Sequence, residues 1–153
     1  MTESHSYIEQ MMMPLVEAYD EQFDFIKDFN YQTKDTPVKL HKVWVNYQKK
    51  YEFNPTHYHS GFLTFVIWLS VPYNIEDEIL YSPGNESNSP SSGMFEFVYS
   101  TTNNSINTFQ ITIDKNMVNN CILFPSSFNH RVYPFFTSDD YRISISGNFV
   151  FQI

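Results

Sequence analysis

The spacing of hydrophobic residues changes once along the chain, from a helical period to an alternating one. Between residues 6 and 29, hydrophobic side chains recur at three- and four-residue steps, and one face carries Leu15, Val16, Tyr19, Phe23 and Ile26. Proline is tolerated in the first turn of a helix. Pro14 therefore places the predicted helix at about 14–28, followed by a polar connector over 31–37.

From residue 38 onward, hydrophobic and polar residues alternate as they do in β-strands. The predicted strands cover 39–48, 62–71, 94–100, 106–115, 121–124, 132–136 and 141–151. The stretch 62–71 is hydrophobic on both faces, so we expect it at the centre of a sheet. Residues 75–93 contain two prolines, two glycines and five serines, which predicts an exposed loop.

These elements predict one domain, with an N-terminal helical segment and connector over 1–37 and a β core over 38–153. Seven or eight short strands without an intervening helix are typical of a sandwich or a jelly roll. The predicted fold class is therefore an all-β core with one N-terminal helix.

Charge and composition narrow the range of partners. The 153 residues carry 17 acidic and nine basic side chains, for a net charge of −8, so we expect no nucleic-acid partner and no anionic membrane. The chain starts without a signal-peptide pattern, and its strongest apolar run is too short to cross a bilayer, which predicts a cytoplasmic protein. The single cysteine, Cys121, excludes a cysteine-rich zinc site and is expected in the core.

Three histidines form the candidate chemical group. His57 and His59 are two residues apart, so in an extended strand both imidazoles project from one face. His130 follows a turn-forming stretch much later in the chain. Three imidazoles suit Fe(II), Zn(II), Cu(II) or Ni(II) and leave coordination positions open. Histidines that are merely solvated or hydrogen-bonded at the rim of a sheet fit the same spacing, and spacing alone leaves both interpretations open.

The C-terminal strand places a polar face on an otherwise apolar segment. Arg142, Ser144, Ser146 and Asn148 alternate with apolar residues. A solvent-facing side explains this pattern, and so does the polar lining of a barrel. Arginine suits carboxylate recognition, because its planar fork matches two oxygens.

The order of these motifs resembles that of 2-oxoglutarate/Fe(II)-dependent oxygenases, in which H-x-H is followed by a distal histidine and then R-x-S. Residues 124–132, Phe-Pro-Ser-Ser-Phe-Asn-His-Arg-Val, resemble the stretch around that distal histidine. Short oxygenases with an H-x-H motif, many of them from marine phages, share the Trp-Val-Asn of 44–46 and the H-x-H-x-G of 57–61. The resemblance runs over 44–148. It implies a double-stranded β-helix, the cupin-like jelly roll, and a location in the host cytoplasm if a phage encodes the chain.

The resemblance also implies cofactors and residue roles. Fe(II) would be the metal and 2-oxoglutarate the co-substrate. The metal would be held by His57, His130 and, in the place of the usual carboxylate, His59. The distal carboxylate of 2-oxoglutarate would bind Arg142 and Ser144, and Tyr47 would lie beside the co-substrate. No catalytic residue beyond the metal ligands is predicted.

Two alternatives stay open at this point. A histidine in place of a carboxylate makes the iron site one charge unit more positive, and cupin-type dioxygenases with three-histidine iron sites use no 2-oxoglutarate. The second alternative is a non-enzymatic jelly roll that binds a ligand or has a structural role. The expected substrate is a small molecule or a peptide, and the sequence predicts no oligomeric state.

Overall fold

The computed structural model describes residues 3–28 and 36–152. Helix α1 covers Glu3–Phe23 and is followed by a 3₁₀ turn at Phe25–Asp28. Eight strands follow: β1 Val38–Gln48, β2 Asn54–His57, β3 Leu63–Ser70, β4 Phe95–Ser100, β5 Ile106–Ile111, β6 Cys121–Pro125, β7 His130–Val132 and β8 Arg142–Phe151. A second helix, α2 Ile75–Tyr81, and a 3₁₀ turn at Lys115–Met117 lie between strands. Most of the connector predicted at 31–37 lies outside the described residues.

Two four-stranded antiparallel sheets form the core, in the orders β1-β8-β3-β6 and β2-β7-β4-β5. We call them the first and the second sheet. The inner faces of the two sheets pack against each other through aromatic residues; the rings of Trp68 and Phe95, for example, lie 6.1 Å apart. The stretch predicted as a central strand is β3, between β8 and β6.

Helix α1 covers the outer face of the first sheet. Its Met12 and Val16 are buried against Leu40, Phe65 and Phe149 of the sheet. The helix begins at Glu3 rather than near Pro14, so the predicted start is wrong. Pro14 removes one helical hydrogen bond, and burial of the apolar face explains why the helix continues through it. Neither helix in the described part of the chain combines the length and the apolar character needed to cross a membrane.

Two further predictions are corrected. The stretch 75–93 is not all loop, because α2 occupies its first seven residues. The buried carboxylate of Glu78 accepts hydrogen bonds from the backbone N–H groups of Phe136 and Thr137, at 2.7 and 2.8 Å, and this tertiary contact holds the short helix. Cys121 is exposed on the edge strand β6 rather than buried in the core.

Candidate functional site

The three predicted histidines come together at one end of the second sheet. His57 ends β2, His130 begins β7, and the two are direct partners in the antiparallel ladder. His59 follows β2, and its backbone N–H donates to the carbonyl oxygen of Ser126 at 2.9 Å. The ring centroids lie 4.3 Å apart for His57 and His130, and 5.0 Å apart for His59 and either of the others. One ligand nitrogen from each ring lies within 4.8 Å of the other two.

Hydrogen bonds fix the tautomer of two of these rings. His57 Nδ1 lies 2.7 Å from the carbonyl oxygen of Pro55, and His130 Nδ1 lies 2.9 Å from that of Phe128. A carbonyl oxygen only accepts, so each Nδ1 carries the proton and donates it. The Nε2 lone pair of each ring is therefore free to bind a metal, which is the usual arrangement of a metal-binding histidine.

The surroundings keep two of the rings uncharged. Burial lowers the pKa of His130 to about 4, against the opposing effect of its hydrogen bond to Phe128, and the neighbouring histidines lower it further. Phe95 stacks on His130 at 5.3 Å and Phe124 meets its edge at 5.1 Å. Burial and then the charge of His57 also lower the pKa of His59. Neutral imidazole is the form that binds a metal.

No carboxylate joins the histidine group in the described part of the chain. Glu52, the acidic residue nearest in sequence, is exposed, and its carboxylate accepts the backbone N–H of Lys49 at 2.8 Å. The group is therefore a set of three imidazole nitrogen donors, which suits Fe(II), Zn(II), Cu(II) or Ni(II).

The turn after His59 requires a glycine. Gly61 has φ +124°, and a Cβ there would lie 2.7 Å from the carbonyl oxygen of Phe149. Any other residue would have to strain this backbone or push β8 away. Ser126, which anchors the backbone of His59, has its hydroxyl within 2.8 Å of the buried Thr64 hydroxyl. These contacts fix the position of His59 beside the two strand histidines.

The histidines line one wall of a cavity of about 60 Å³ between the two sheets. The polar face of β8 forms the opposite wall, where the Asn46 side chain donates to the hydroxyls of Ser144 and Ser146 at 3.3 and 3.1 Å. The indole of Trp44 lies 5.4 Å from the ring of His59. The polar side of β8 is thus an interior lining and not a solvent face.

Arg142 lines the same cavity and is 2% exposed. Its Nη1 donates to the Tyr73 hydroxyl and the Gly93 carbonyl oxygen, at 2.5 and 2.8 Å. Its Nη2 donates to Gln48 Oε1 and the Tyr133 carbonyl oxygen, at 2.7 and 2.8 Å. All four acceptors are neutral, and the guanidinium has no ion-pair partner among the described residues. Burying a charge without a counter-ion costs free energy, so an anion that binds next to this guanidinium would offset that cost.

The structure does not bring Tyr47 to the cavity, and its expected position is corrected. Tyr47 pairs with Ile143 and is 63% exposed on the outer face of the first sheet, beside Tyr141. Its neighbour Gln48 faces inward and contacts Arg142 instead. Sequence reasoning missed Asn46 and Gln48, although the two-residue period of the strand places them on the face of Trp44.

Comparisons with known proteins identify the family and the fold of the chain. The sequence model of a protein family described as "Putative 2OG-Fe(II) oxygenase" matches residues 42–148, a span that holds the three histidines and Arg142. No curated protein matches the chain in sequence.

A solved structure is similar in fold. It is an oxidoreductase of the 2OG-Fe(II) oxygenase family from Burkholderia pseudomallei, with a TM-score of 0.50 and 14% identity. The similarity covers 76% of this chain and 47% of that chain, so the chain spans about half the length of the solved protein. At this identity the likeness shows the fold alone, and it confirms the predicted jelly roll with an N-terminal helix.

Proposed function

Since the chain belongs to the family of 2OG-Fe(II) oxygenases, we propose that it hydroxylates a C–H bond of a substrate with Fe(II) and 2-oxoglutarate. Fe(II) and 2-oxoglutarate are the metal and co-substrate of the family. The residues of the site fit both.

The fit to the metal rests on the donor set. In the neutral form of His57 and His130 the Nε2 atoms are the unprotonated ones, because each Nδ1 donates its proton to a backbone carbonyl. His59 is the third ligand in this proposal and stands where related oxygenases have a carboxylate. The three imidazoles would hold the metal and would leave coordination positions for the co-substrate and O₂.

The fit to 2-oxoglutarate rests on Arg142, which is the observation that carries the proposal. It is a buried guanidinium without a counter-ion in the described residues, in the cavity of the three histidines. A dicarboxylate with one end at the metal supplies the missing negative charge at the other end. In this proposal Ser144 donates a further hydrogen bond to that carboxylate.

Fe(II) with 2-oxoglutarate supplies the activation of O₂ that inserts one oxygen atom into a substrate C–H bond, with release of succinate and carbon dioxide. The protein's own residues orient the co-substrate and shield the reaction from water. Arg142 sets the direction of the co-substrate, and Asn46 orients the Ser144 hydroxyl. Val66, Trp68 and Phe95 line the cavity with apolar surface and exclude water from the reaction.

The test is metal and co-substrate binding under anaerobic conditions. We expect one Fe(II) or Mn(II) per chain, and a visible charge-transfer band when 2-oxoglutarate joins Fe(II). The double variant His57→Ala/His130→Ala should lose the metal. His5→Gln, which changes a histidine of α1 on the other side of the first sheet, should keep it. Metal binding that survives the double variant would contradict the proposed centre.

The all-histidine donor set favours one second candidate, a dioxygenase that uses no 2-oxoglutarate. Its signature would be Fe(II) binding with neither the charge-transfer band nor succinate formation on addition of 2-oxoglutarate and O₂. A chain that binds no metal at all would be a non-enzymatic jelly roll.

A further inference from the structure

The cavity opens into a wide depression on the surface. We call this depression the mouth; it is bounded by His41, Lys42, Trp44, Asn54, Tyr58 and Ser60, and measures about 700 Å³. Its size suits a small molecule. The mouth and the cavity share Trp44, His57 and His59, so a molecule bound in the mouth lies beside the histidines and contacts these side chains.

The charge of the mouth is opposite to that of the whole chain. The chain carries 17 acidic and nine basic side chains. Neither the cavity nor the mouth is lined by an aspartate or a glutamate of the described residues. Glu52, in the adjoining groove, is engaged by the backbone of Lys49. Among the described residues that line the mouth, Lys42 is the one with a formal charge, so the local charge favours an anion over a cation.

Lys42 is the cation of the mouth. It pairs with Asn148 in the ladder between β1 and β8, which directs it to the inner side of the first sheet. Its Nζ lies 5.9 Å from the ring centre of Trp44, which in turn lies 5.4 Å from the ring of His59. The Lys42 ammonium and the His59 ring thus both lie next to the indole ring of Trp44.

Lys42, like the buried Arg142, has no acidic partner among the described residues, whereas two other basic residues do. Lys50 pairs with Asp139, and Arg131 pairs with the buried Glu96. Lys42 is exposed and forms no ion pair with any described residue. Its ammonium group lies over the ring of Trp44 instead. Its charge is therefore available to a ligand.

We propose that the substrate is a small organic anion, whose carboxylate or phosphate binds Lys42 while its planar or apolar part lies against Trp44 and Tyr58. Tyr58 is 68% exposed at the mouth, so its ring offers contact area to a ligand. The anionic group is held at the rim and the remainder of the molecule faces the histidines. This inference rests on the proposed function for the reaction, and the anion site can be tested without it.

The experiment compares matched probes on apo and Mn(II)-loaded protein. Benzoate and phenyl phosphate are the anions, and benzamide is the neutral control. Quenching of tryptophan fluorescence reports binding near Trp44 or Trp68, the two tryptophans of the chain, and the Lys42 variants assign it to the mouth. We expect one of the two anions to bind about tenfold more tightly than benzamide, the scale of one charge-assisted hydrogen bond. The preferred anion distinguishes a carboxylate substrate from a phosphate one.

Lys42→Met should abolish that preference and Lys42→Arg should keep it. Lys115→Met, in the 3₁₀ turn at Lys115–Met117, changes the net charge equally and should have no effect. Equal binding of anions and benzamide, or equal effects of Lys42→Met and Lys115→Met, would overturn the inference. So would loss of 2-oxoglutarate binding in Lys42→Met, since the lysine would then serve the co-substrate. Failure of the oxygenase proposal would appear separately, as wild-type protein without metal or charge-transfer band.

Discussion

Arg142 Nη2 donates a hydrogen bond of 2.7 Å to the side-chain oxygen of Gln48, inside the cavity that the three histidines line. Gln48 holds the guanidinium in place and also occupies space next to it. The cavity of about 60 Å³ is roughly twice the volume of one water in the liquid, which is less than a five-carbon diacid needs. We expect 2-oxoglutarate to displace the Gln48 side chain from Arg142 Nη2, because the neutral amide is a weak competitor for a carboxylate.

Gln48→Glu should turn this weak competitor into a strong one. Its carboxylate would pair with Arg142 where the co-substrate is proposed to bind. We expect the Kd for 2-oxoglutarate to rise by about tenfold or more, the scale of one charged hydrogen bond, while Mn(II) affinity stays unchanged. Titration of the Fe(II) charge-transfer band measures this. Gln48→Leu, which removes the amide without adding charge, should bind 2-oxoglutarate at least as well as wild type; weakening as large as that of Gln48→Glu would refute the competition.

Arg142→Lys should weaken 2-oxoglutarate and spare the metal. A lysine keeps the charge but cannot present two parallel donors to a carboxylate. It also cannot reach all four acceptors that now surround the guanidinium, so Tm should fall as well. Calorimetry of Mn(II) and 2-oxoglutarate binding below the Tm separates the two effects. Loss of metal with retained 2-oxoglutarate would contradict the assignment.

Stability of the metal-free protein should depend on pH through His130. Its folded pKa of about 4 lies below the ordinary value of 6.5, so the unfolded chain takes up the proton first. The free energy of unfolding should be highest above pH 6.5, fall as pH drops to about 4, and change no further through this group below that. The loss is about 3 kcal/mol at most. Urea titrations at pH 7.5 and 4.5 measure it, and His130→Gln should show a smaller difference; an equal one would exclude His130 as the source.

Gly61→Ala should destabilise the turn that carries His59. The new Cβ meets the carbonyl oxygen of Phe149 at 2.7 Å, on a backbone with φ +124°. We expect a loss of about 1–3 kcal/mol in the free energy of unfolding, the scale of one strained residue, and weaker Mn(II) binding because His59 moves. Gly84→Ala is the matched control, since nothing lies within 4 Å of a Cβ there. Similar losses in both variants would exclude the turn as the cause.

The alternating pattern predicted most of the strands correctly, because the period of two is a local property of a pleated chain that is buried on one side. Strands β1, β3, β4 and β8 lie within a few residues of their predicted bounds. The helix start was wrong because Pro14 is a local signal against helix, whereas burial of Met12 and Val16 acts through the tertiary fold. Helix α2 was missed for the same reason, since Glu78 is satisfied by backbone groups far along the chain.

The residues available for chemistry follow from the sequence alone: three histidines in an order that resembles known oxygenases, and an arginine on a polar strand face. Which of these residues meet depends on the tertiary structure. Pairing of β2 with β7 brings His57 to His130, and the ladder of β1 with β8 turns Gln48 rather than Tyr47 toward Arg142. These contacts join residues that are distant in the chain. A shift of the strand pairing by one residue would turn each side chain to the opposite face of the sheet, so no local pattern specifies these contacts.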